Sequence, residues 1–108
     1  MQVLKFGGTS VANGENISQV VAIVKNTIQK DRTVLVVSAL GGVTDLLLNA
    51  AALAADGDES FSEKLTIIEQ RHLETVKALI PVAQQSHVLS LVKSACNEIE
   101  DICNVGMI

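Results

Sequence analysis

The stretch that decides the fold lies at the start of the chain, where residues 3–10 read VLKFGGTS. A short strand carrying Lys5 runs into two glycines and two hydroxyl residues. Such a stretch can bind an anion, because glycine amides approach a phosphate without a Cβ in the way and lysine brings a mobile positive charge. An edge-strand lysine followed by a glycine turn explains the same residues. The chain has neither G-x-x-x-x-G-K-[ST] nor G-x-G-x-x-G, so on chemistry alone both interpretations stay open.

The composition is that of one aliphatic, acidic domain. Hydrophobic residues make up 48% of the 108 residues and charged residues 19%, which favours a packed core over disorder. Only 2% are aromatic, so few side chains can stack on bases or sugar rings. The net charge of -4 opposes binding to nucleic acid or anionic lipid. We therefore expect neither nucleic acid nor a membrane among the partners.

The cysteines and histidines do not predict a metal site. Cys96 and Cys103 are about two helical turns apart, which is too far for the usual Cα separation of a disulfide. No C-x-x-C or Cys/His cluster occurs, and His72 and His87 fit satisfied or solvent-facing helix positions. No apolar run approaches the roughly 20 residues of a membrane span, and no signal-peptide core is seen. We expect a reduced, cytoplasmic protein with no bound metal.

Around the opening stretch the sequence predicts a strand, a helix and a second strand. The first strand covers 2–6 and Asn13-Gly14 marks a turn or cap. Apolar residues then recur at helical spacing, which predicts a helix over about 16–30. The run 34–37, VLVV, is typical of a strand buried on both faces of a parallel sheet. This order is a βαβ unit, expected to be right-handed.

Two glycine pairs follow the two predicted strands. Gly7-Gly8 comes after the first strand and Gly41-Gly42 after the second. The carboxyl ends of parallel strands meet at one edge of a sheet, and open α/β sheets bind their ligands there. The sequence therefore places both glycine loops at the ligand-binding edge.

The remaining sequence predicts three helices. The first begins at Thr44 or Val43, where the Thr44 hydroxyl can cap it, and ends near Ala55. The other two cover about 60–80 and 82–104, form an antiparallel αα-hairpin around Pro81, and follow the break 56–58. Their apolar stripes consist of Leu65, Ile68, His72, Val76 and Leu79 on the first, and Val88, Leu91, Val92, Ala95, Ile99 and Ile102 on the second.

These elements predict an α/β fold that is unfinished. Two parallel strands alone leave edges and apolar faces uncovered. The last residues, 103–108, stop within a helical pattern. We expect residues 1–108 to be the N-terminal portion of a larger catalytic domain.

Two segments carry a resemblance to a known family. Residues 5–11, KFGGTSV, resemble the opening motif of aspartokinases, within the amino acid kinase family. Residues 37–45, VSALGGVTD, resemble its second signature, a strand ending in Ser-Ala followed by Gly-x-Thr. The resemblance is strong over about 1–55, and the segment 69–80 is similar to bifunctional aspartokinase–homoserine dehydrogenases. It implies the N-terminal part of an amino acid kinase fold, a parallel β-α-β unit followed by a helix and an αα-hairpin.

The resemblance also implies an activity. It is phosphoryl transfer from MgATP to the β-carboxylate of L-aspartate, giving 4-phospho-L-aspartate for the synthesis of lysine, threonine and methionine. ATP and Mg²⁺ are the implied cofactors, with NADP only if a dehydrogenase domain is present. The remaining kinase, regulatory and possible dehydrogenase domains would lie beyond Ile108, so the chain alone is expected to be inactive. The intact protein is expected to be a homo-oligomer.

Carried over residue by residue, the resemblance implies a site at both glycine loops. Lys5 is the implied catalytic residue and contacts the ATP phosphates. The other implied residues are Gly7, Gly8, Thr9 and Ser10 in the phosphate loop, Ser38 beside the reaction site, and Thr44 at the aspartate. Three of them also have structural explanations, namely a tight turn for Ser38, a loop hydroxyl for Ser10, and for Thr44 a helix cap, which is compatible with the substrate contact.

Two other functions remain as alternatives. Another amino acid kinase, acting on glutamate, acetylglutamate or carbamate, would use the same fold, although the Thr-Ser after the glycines and the Gly-x-Thr after Ser38 favour aspartate. A non-catalytic helical interaction module would use the stripes of 60–104. That module leaves the stretch KFGG unexplained.

Overall fold

The structure is a computed structural model that describes residues 1–106. Met107 and Ile108, the end of the pattern predicted to be unfinished, lie outside the described residues. The elements in chain order are β1 (Gln2–Phe6), α1 (Gly14–Ile28), β2 (Thr33–Val37), α2 (Val43–Ala55), α3 (Phe61–Leu79) and α4 (Val82–Gly106). They confirm the predicted α/β order of a β-α-β unit, a helix and an αα-hairpin. The chain divides into two compact units, Met1–Gly42 and the residues from Val43 onward.

In the first unit, β1 and β2 form a parallel pair. Their register runs from Gln2 opposite Thr33 to Phe6 opposite Val37, with no residue skipped. The Ser38 amide extends the pairing by donating to the Phe6 carbonyl at 3.1 Å. Because the strands end level with one another, the loops that follow them leave from the same edge of the sheet, as predicted.

Helix α1 begins two residues earlier than its apolar pattern predicts. Asn13 takes the N-cap position with extended backbone, and its side-chain oxygen accepts a hydrogen bond from the Asn16 amide at 2.9 Å. This bond satisfies one of the amides that a helix start leaves without a partner. Asn13-Gly14 is therefore a cap, one of the two roles predicted for it, and the helix covers Gly14–Ile28 rather than 16–30.

The expectation that residues 34–37 are buried on both faces is wrong for this chain. Their side chains are 42–54% exposed. Helix α1 lies on the sheet face of Phe6, where Phe6, Gln19, Val20 and Ile23 help to line one cleft. Since side chains alternate along a strand, Lys5 and its neighbour Val36 lie on the opposite face. A run of β-branched residues indicates that a strand can be buried on both faces. In this unit only one helix packs beside the two strands, so much of the strand surface stays exposed.

The second unit has a small apolar core built by three helices. Its buried cluster contains Ala50 and Ala54 of α2, Phe61 of α3 and Cys103 of α4, with Leu53, Leu65 and Ile99 packed against it. Alanines on α2 let the other two helices come close. The turn before α3 uses Gly57 at φ +74°, a left-handed conformation that favours glycine, and confirms the predicted break.

Helices α3 and α4 form the predicted antiparallel hairpin. Gln85 donates to the Ile80 carbonyl at 2.8 Å next to the connection, while Lys93 pairs with Glu69 at 2.6 Å further along both helices. The contact further from the connection joins an earlier residue of α3 to a later residue of α4, which is the order found in an antiparallel pair. Ile80 ends α3 in extended backbone, as expected for a residue that precedes proline.

The apolar stripe predicted on α3 is confirmed, but the one on α4 is partly wrong. On α3, Ile68 and Val76 are buried. On α4, Leu91 is 57% exposed and Ile102 71% exposed, whereas Cys103 is buried. The side of α4 that packs in the unit is narrower than its apolar surface, so sequence periodicity alone overestimates the buried face.

Among the helices of the described residues, none combines the length and the apolar character needed to cross a membrane. This finding concerns the helices alone.

The hairpin yields a matched test. We expect Ile68→Ala to lower the free energy of unfolding by about 2–5 kcal/mol, because a buried aliphatic side chain leaves a cavity. Leu91→Ala removes a side chain of similar size from an exposed position and should change it by no more than about 0.5 kcal/mol. Urea unfolding followed by circular dichroism measures both values. Equal losses would show that Leu91 packs in the core, as the sequence pattern had suggested.

Candidate phosphate-binding site

The two glycine loops of the first unit touch through their main chains. A Cβ placed on Gly41 would lie 2.8 Å from the Gly8 carbonyl oxygen and 3.1 Å from the Ala12 Cβ. The first distance is shorter than real Cβ contacts allow, so only glycine fits at position 41 without a shift of backbone. A Cβ on Gly8 would meet Gly41 at 3.5 Å, an ordinary contact, and one on Gly7 would meet nothing within 4 Å. Gly41 is therefore the position at which the contact between the loops requires glycine.

The loop after β1 is a tight turn built around the Gly7 carbonyl. This oxygen accepts hydrogen bonds from the Ser10 amide at 3.1 Å and the Val11 amide at 3.3 Å. All peptide bonds in the described part of the chain are trans, and in a trans peptide the C=O and N–H groups point in opposite directions. The Gly8 amide, which shares a peptide with the Gly7 carbonyl, therefore points out of the turn.

The next peptide repeats this arrangement. The Gly8 carbonyl faces Gly41, so the Thr9 amide on the same peptide points away from Gly41. Neither the Gly8 amide nor the Thr9 amide donates to an acceptor within residues 1–106. Two adjacent outward N–H groups, one of them on a residue without a Cβ, can bind an anion. Gly8 and Thr9, two residues of the loop predicted to bind phosphate, thus have outward amides.

Asn16 connects this loop to helix α1. Its side-chain amide donates to the Thr9 carbonyl at 2.9 Å, while its backbone amide donates to the Asn13 side chain at 2.9 Å. The loop and the first turn of the helix are therefore held together by the same residue. The sequence analysis did not identify Asn16. The spacing Asn13-x-x-Asn16 marks the helix start but does not predict the bond to Thr9, because the side chain at the third helical position of a capping box accepts from the N-cap amide instead of donating to a carbonyl.

Lys5 lies one residue before the end of β1 and is exposed. Alternation along the strand places its side chain on the sheet face opposite to Phe6 and α1. Among the described residues Lys5 has no carboxylate partner within ion-pair distance. It is therefore a charged side chain on an otherwise apolar face, next to the start of the glycine loop.

The three predicted hydroxyl residues lie in different surroundings. Ser38 is next to the loop contact, since its Oγ would lie 3.7 Å from a Cβ on Gly8, and its hydroxyl donates to the Ala39 carbonyl at 2.7 Å. Ser10 is half-buried and lines the cleft beside Phe6. Thr44 belongs to the second unit. Because α2 begins at Val43, the cap position falls on Gly42, and Thr44 is exposed within the first turn rather than at the cap.

A shallow cleft of about 490 Å³ lies at the loop contact and is lined by Gly8, Thr9, Ala12, Gly41 and Gly42. Nearly all its walls are main chain and small side chains, which allows close approach of a ligand. Within residues 1–106, no group of three or more His, Cys, Asp or Glu side chains is arranged to hold a metal ion.

The titratable groups between α3 and α4 have structural explanations. Burial raises the pKa of the Cys96 thiol, and the nearby charge of Glu69 adds to the rise, so this thiol stays protonated near neutral pH. His72 is hydrogen-bonded through Nδ1 to the Ile68 carbonyl at 2.7 Å. The prediction of a satisfied histidine is confirmed for His72, and both cysteines are free, as their spacing predicted.

Comparison with known proteins assigns the class. Residues 1–101 match the model of the amino acid kinase family. The chain belongs to this family, and the resemblance stated from its two glycine signatures is confirmed.

Individual relatives are aspartokinases. The chain is 39% identical over 80 residues to aspartokinase 1, chloroplastic, of Arabidopsis thaliana, which covers 71% of the chain and 14% of that protein. It is 45% identical over 78 residues to an aspartokinase of Chlamydia pneumoniae, covering 71% and 16%. It is 32% identical over 98 residues to bifunctional aspartokinase/homoserine dehydrogenase 1, chloroplastic, of Arabidopsis thaliana, covering 91% and 11%. The chain thus spans between a tenth and a sixth of the length of these relatives.

The loop contact predicts that two glycines differ in their response to the same change. Gly41→Ala should lower the free energy of unfolding by about 1–3 kcal/mol, because the added methyl overlaps the Gly8 carbonyl. Gly7→Ala adds the same methyl in open space and should have little effect. Denaturant unfolding of both variants measures the difference. A Gly41→Ala variant as stable as the unaltered protein would contradict the close approach of the two loops.

Proposed function

We propose that this chain forms the phosphate-binding part of an aspartate kinase. The observation that carries the proposal is the pair of outward amides at Gly8 and Thr9, beside the exposed Lys5, in a member of the amino acid kinase family. Phosphoryl transfer requires mainly positioning and stabilisation of negative charge, and this site offers those two properties. In this proposal the full-length protein forms the acyl phosphate by direct phosphoryl transfer, without a covalent enzyme intermediate.

The proposed reaction moves the γ-phosphoryl group of ATP to aspartate. An oxygen of the aspartate β-carboxylate attacks the γ-phosphorus, and the bond from that phosphorus to the bridging oxygen breaks. ADP leaves with the electron pair of that bond, and 4-phospho-L-aspartate is the product. No proton is transferred in this step, because a carboxylate is already ionised at neutral pH.

The loop residues suit the charged end of ATP. The Gly8 and Thr9 amides donate to phosphate oxygens, the missing side chains at Gly7 and Gly8 allow close approach, and the Lys5 ammonium offsets charge on the transferred group. Ser10 assists from within the loop. Mg²⁺ enters as the counter-ion of ATP, and we assign it no protein ligand within residues 1–106.

Ser38 and Thr44 are proposed for the acid substrate. Ser38 follows β2 at the same sheet edge as the loop, which supports a place beside the reacting carboxylate. Thr44 is exposed in the first turn of α2 and is free of a cap role that would fix its hydroxyl. We propose that its hydroxyl binds the aspartate.

The choice of aspartate is supported by the relatives. Those named above are called aspartokinases or bifunctional aspartokinase/homoserine dehydrogenases. We propose that the product enters synthesis of lysine, threonine and methionine. We further propose that the active protein is a cytoplasmic homo-oligomer, and that NADP is used only if a dehydrogenase domain accompanies the kinase.

Removal of the Lys5 charge tests the reaction. In the full-length protein we expect Lys5→Ala to lower ATP-dependent formation of the acyl phosphate by about a hundredfold or more, as for the loss of one preorganised donor to a transition state. The product is trapped with hydroxylamine and measured as the hydroxamate. Lys25→Ala is the matched control, because Lys25 is an exposed lysine on α1, away from the loop, and its loss should leave the rate unchanged.

The same assay decides the substrate. Aspartate, glutamate, acetylglutamate and carbamate are offered in parallel. Product with aspartate supports the proposal, and product with another acid keeps the family and mechanism but refutes the substrate. A folded protein that phosphorylates none of these acids would refute the kinase function and favour a helical interaction module.

We also propose that the 108 residues alone are inactive. They span at most about a sixth of the length of the relatives named above. The purified 108-residue chain should give no hydroxamate under conditions in which the full-length protein does. Turnover by the chain alone would show that it contains a complete active site.

A further inference from the structure

We propose that Asn16 is a positioning residue that keeps the Thr9 carbonyl turned away from the bound phosphates. This inference rests on the proposed function, because it concerns how the same loop holds ATP. Asn16 itself touches no substrate in this proposal. It acts through the peptide that joins Thr9 to Ser10.

The peptide that joins Thr9 to Ser10 is held at both ends. Its carbonyl oxygen, on Thr9, accepts a hydrogen bond from Asn16 Nδ2 at 2.9 Å. Its N–H group, on Ser10, donates to the Gly7 carbonyl at 3.1 Å. A rotation of this peptide plane would break both bonds at once.

The held orientation has an electrostatic consequence. A carbonyl oxygen carries partial negative charge, and a rotated Thr9–Ser10 peptide would present that charge to the phosphates. The backbone torsions of Thr9 and Ser10 set this plane, and no regular element restricts them, since both residues lie in the loop between β1 and α1. A side-chain donor fixed beside the loop therefore favours one orientation.

Asn16 is itself well anchored for this task. Its backbone amide is bound by the Asn13 side chain, and it lies in the first turn of α1, half-buried. Its side chain also helps to line a cleft of about 260 Å³ with Phe6 and Val20. A short side chain on a capped helix start loses little further freedom when it bonds the loop.

The chemistry of the donor separates positioning from stability. An aspartate at position 16 has nearly the same shape but only accepts hydrogen bonds, so it would repel the Thr9 carbonyl. At the same time a negative charge in the first turn favours the helix. Asn16→Asp should therefore weaken ATP binding with little change in the melting temperature, but its charge also repels the phosphates directly, so neutral variants decide the role of Asn16.

The test compares neutral variants of the full-length protein, so that added charge does not confuse the result. Asn16→Ala removes the donor, Asn16→Gln keeps an amide donor, and Ser18→Ala is a control at an exposed position of the same helix. We expect Asn16→Ala to raise the KM for ATP about three- to tenfold, as for loss of one hydrogen bond, with the KM for aspartate nearly unchanged. Asn16→Gln should recover part of the loss, and Ser18→Ala should match the unaltered protein.

Amide hydrogen exchange gives a readout that does not depend on activity. Exchange at the Ser10 amide should be faster in Asn16→Ala, because the peptide is released at its carbonyl end. An unchanged KM for ATP, an equal rise in both KM values, or unchanged exchange at Ser10 would overturn the inference. If the unaltered protein phosphorylates no acid, the proposed function fails in that assay, and the exchange rate at Ser10 still decides whether Asn16 holds the loop.

Discussion

The structure of the first unit depends on one close approach between main chains. The loops that follow β1 and β2 meet where Gly41 faces the Gly8 carbonyl, at a separation that leaves no room for a side chain. This approach is possible because the strands pair in parallel and end level with one another. The tight turn around the Gly7 carbonyl then directs the Gly8 and Thr9 amides outward. The candidate site is thus a consequence of strand register and of one absent Cβ.

A site built from main chain suits phosphoryl transfer for a physical reason. Backbone amides are fixed dipoles, and they stabilise developing negative charge without reorganising when the reaction occurs. Their weakness is that a peptide plane can rotate and replace a donor with an acceptor. In this chain the tight turn sets the peptide plane between Gly7 and Gly8, and the loop contact sets the one between Gly8 and Thr9. The hydrogen bond from Asn16 sets the peptide plane that follows Thr9. Orientation of peptides, more than the identity of side chains, determines what the loop can bind.

The two units differ in how completely they cover their apolar surface. The second unit buries Phe61, Ala50, Ala54 and Cys103 among three helices. In the first unit the side chains of β2 remain about half exposed, although their sequence is that of a covered strand. Exposed aliphatic surface of this kind lowers stability in water, because apolar area is left in contact with solvent. The same 42 residues therefore contain an apolar strand, which favours burial, and a polar loop, whose amides must stay accessible to bind an anion.

The sequence by itself determined the order of elements, the family and the position of the glycine loop that forms the candidate site. Periodicity, the glycine pairs and the motif around Lys5 are local signals, and they predicted all six elements to within about two residues. Only the tertiary structure decided that Gly41 carries the steric requirement, that Asn16 binds the loop, and that Leu91 and Ile102 face outward. The contact of Gly41 with Gly8 and the outward positions on α4 depend on packing between residues far apart in the chain, and the bond from Asn16 to Thr9 depends on the path of the loop between them. No local pattern encodes such contacts, because they arise only when strands pair and helices pack.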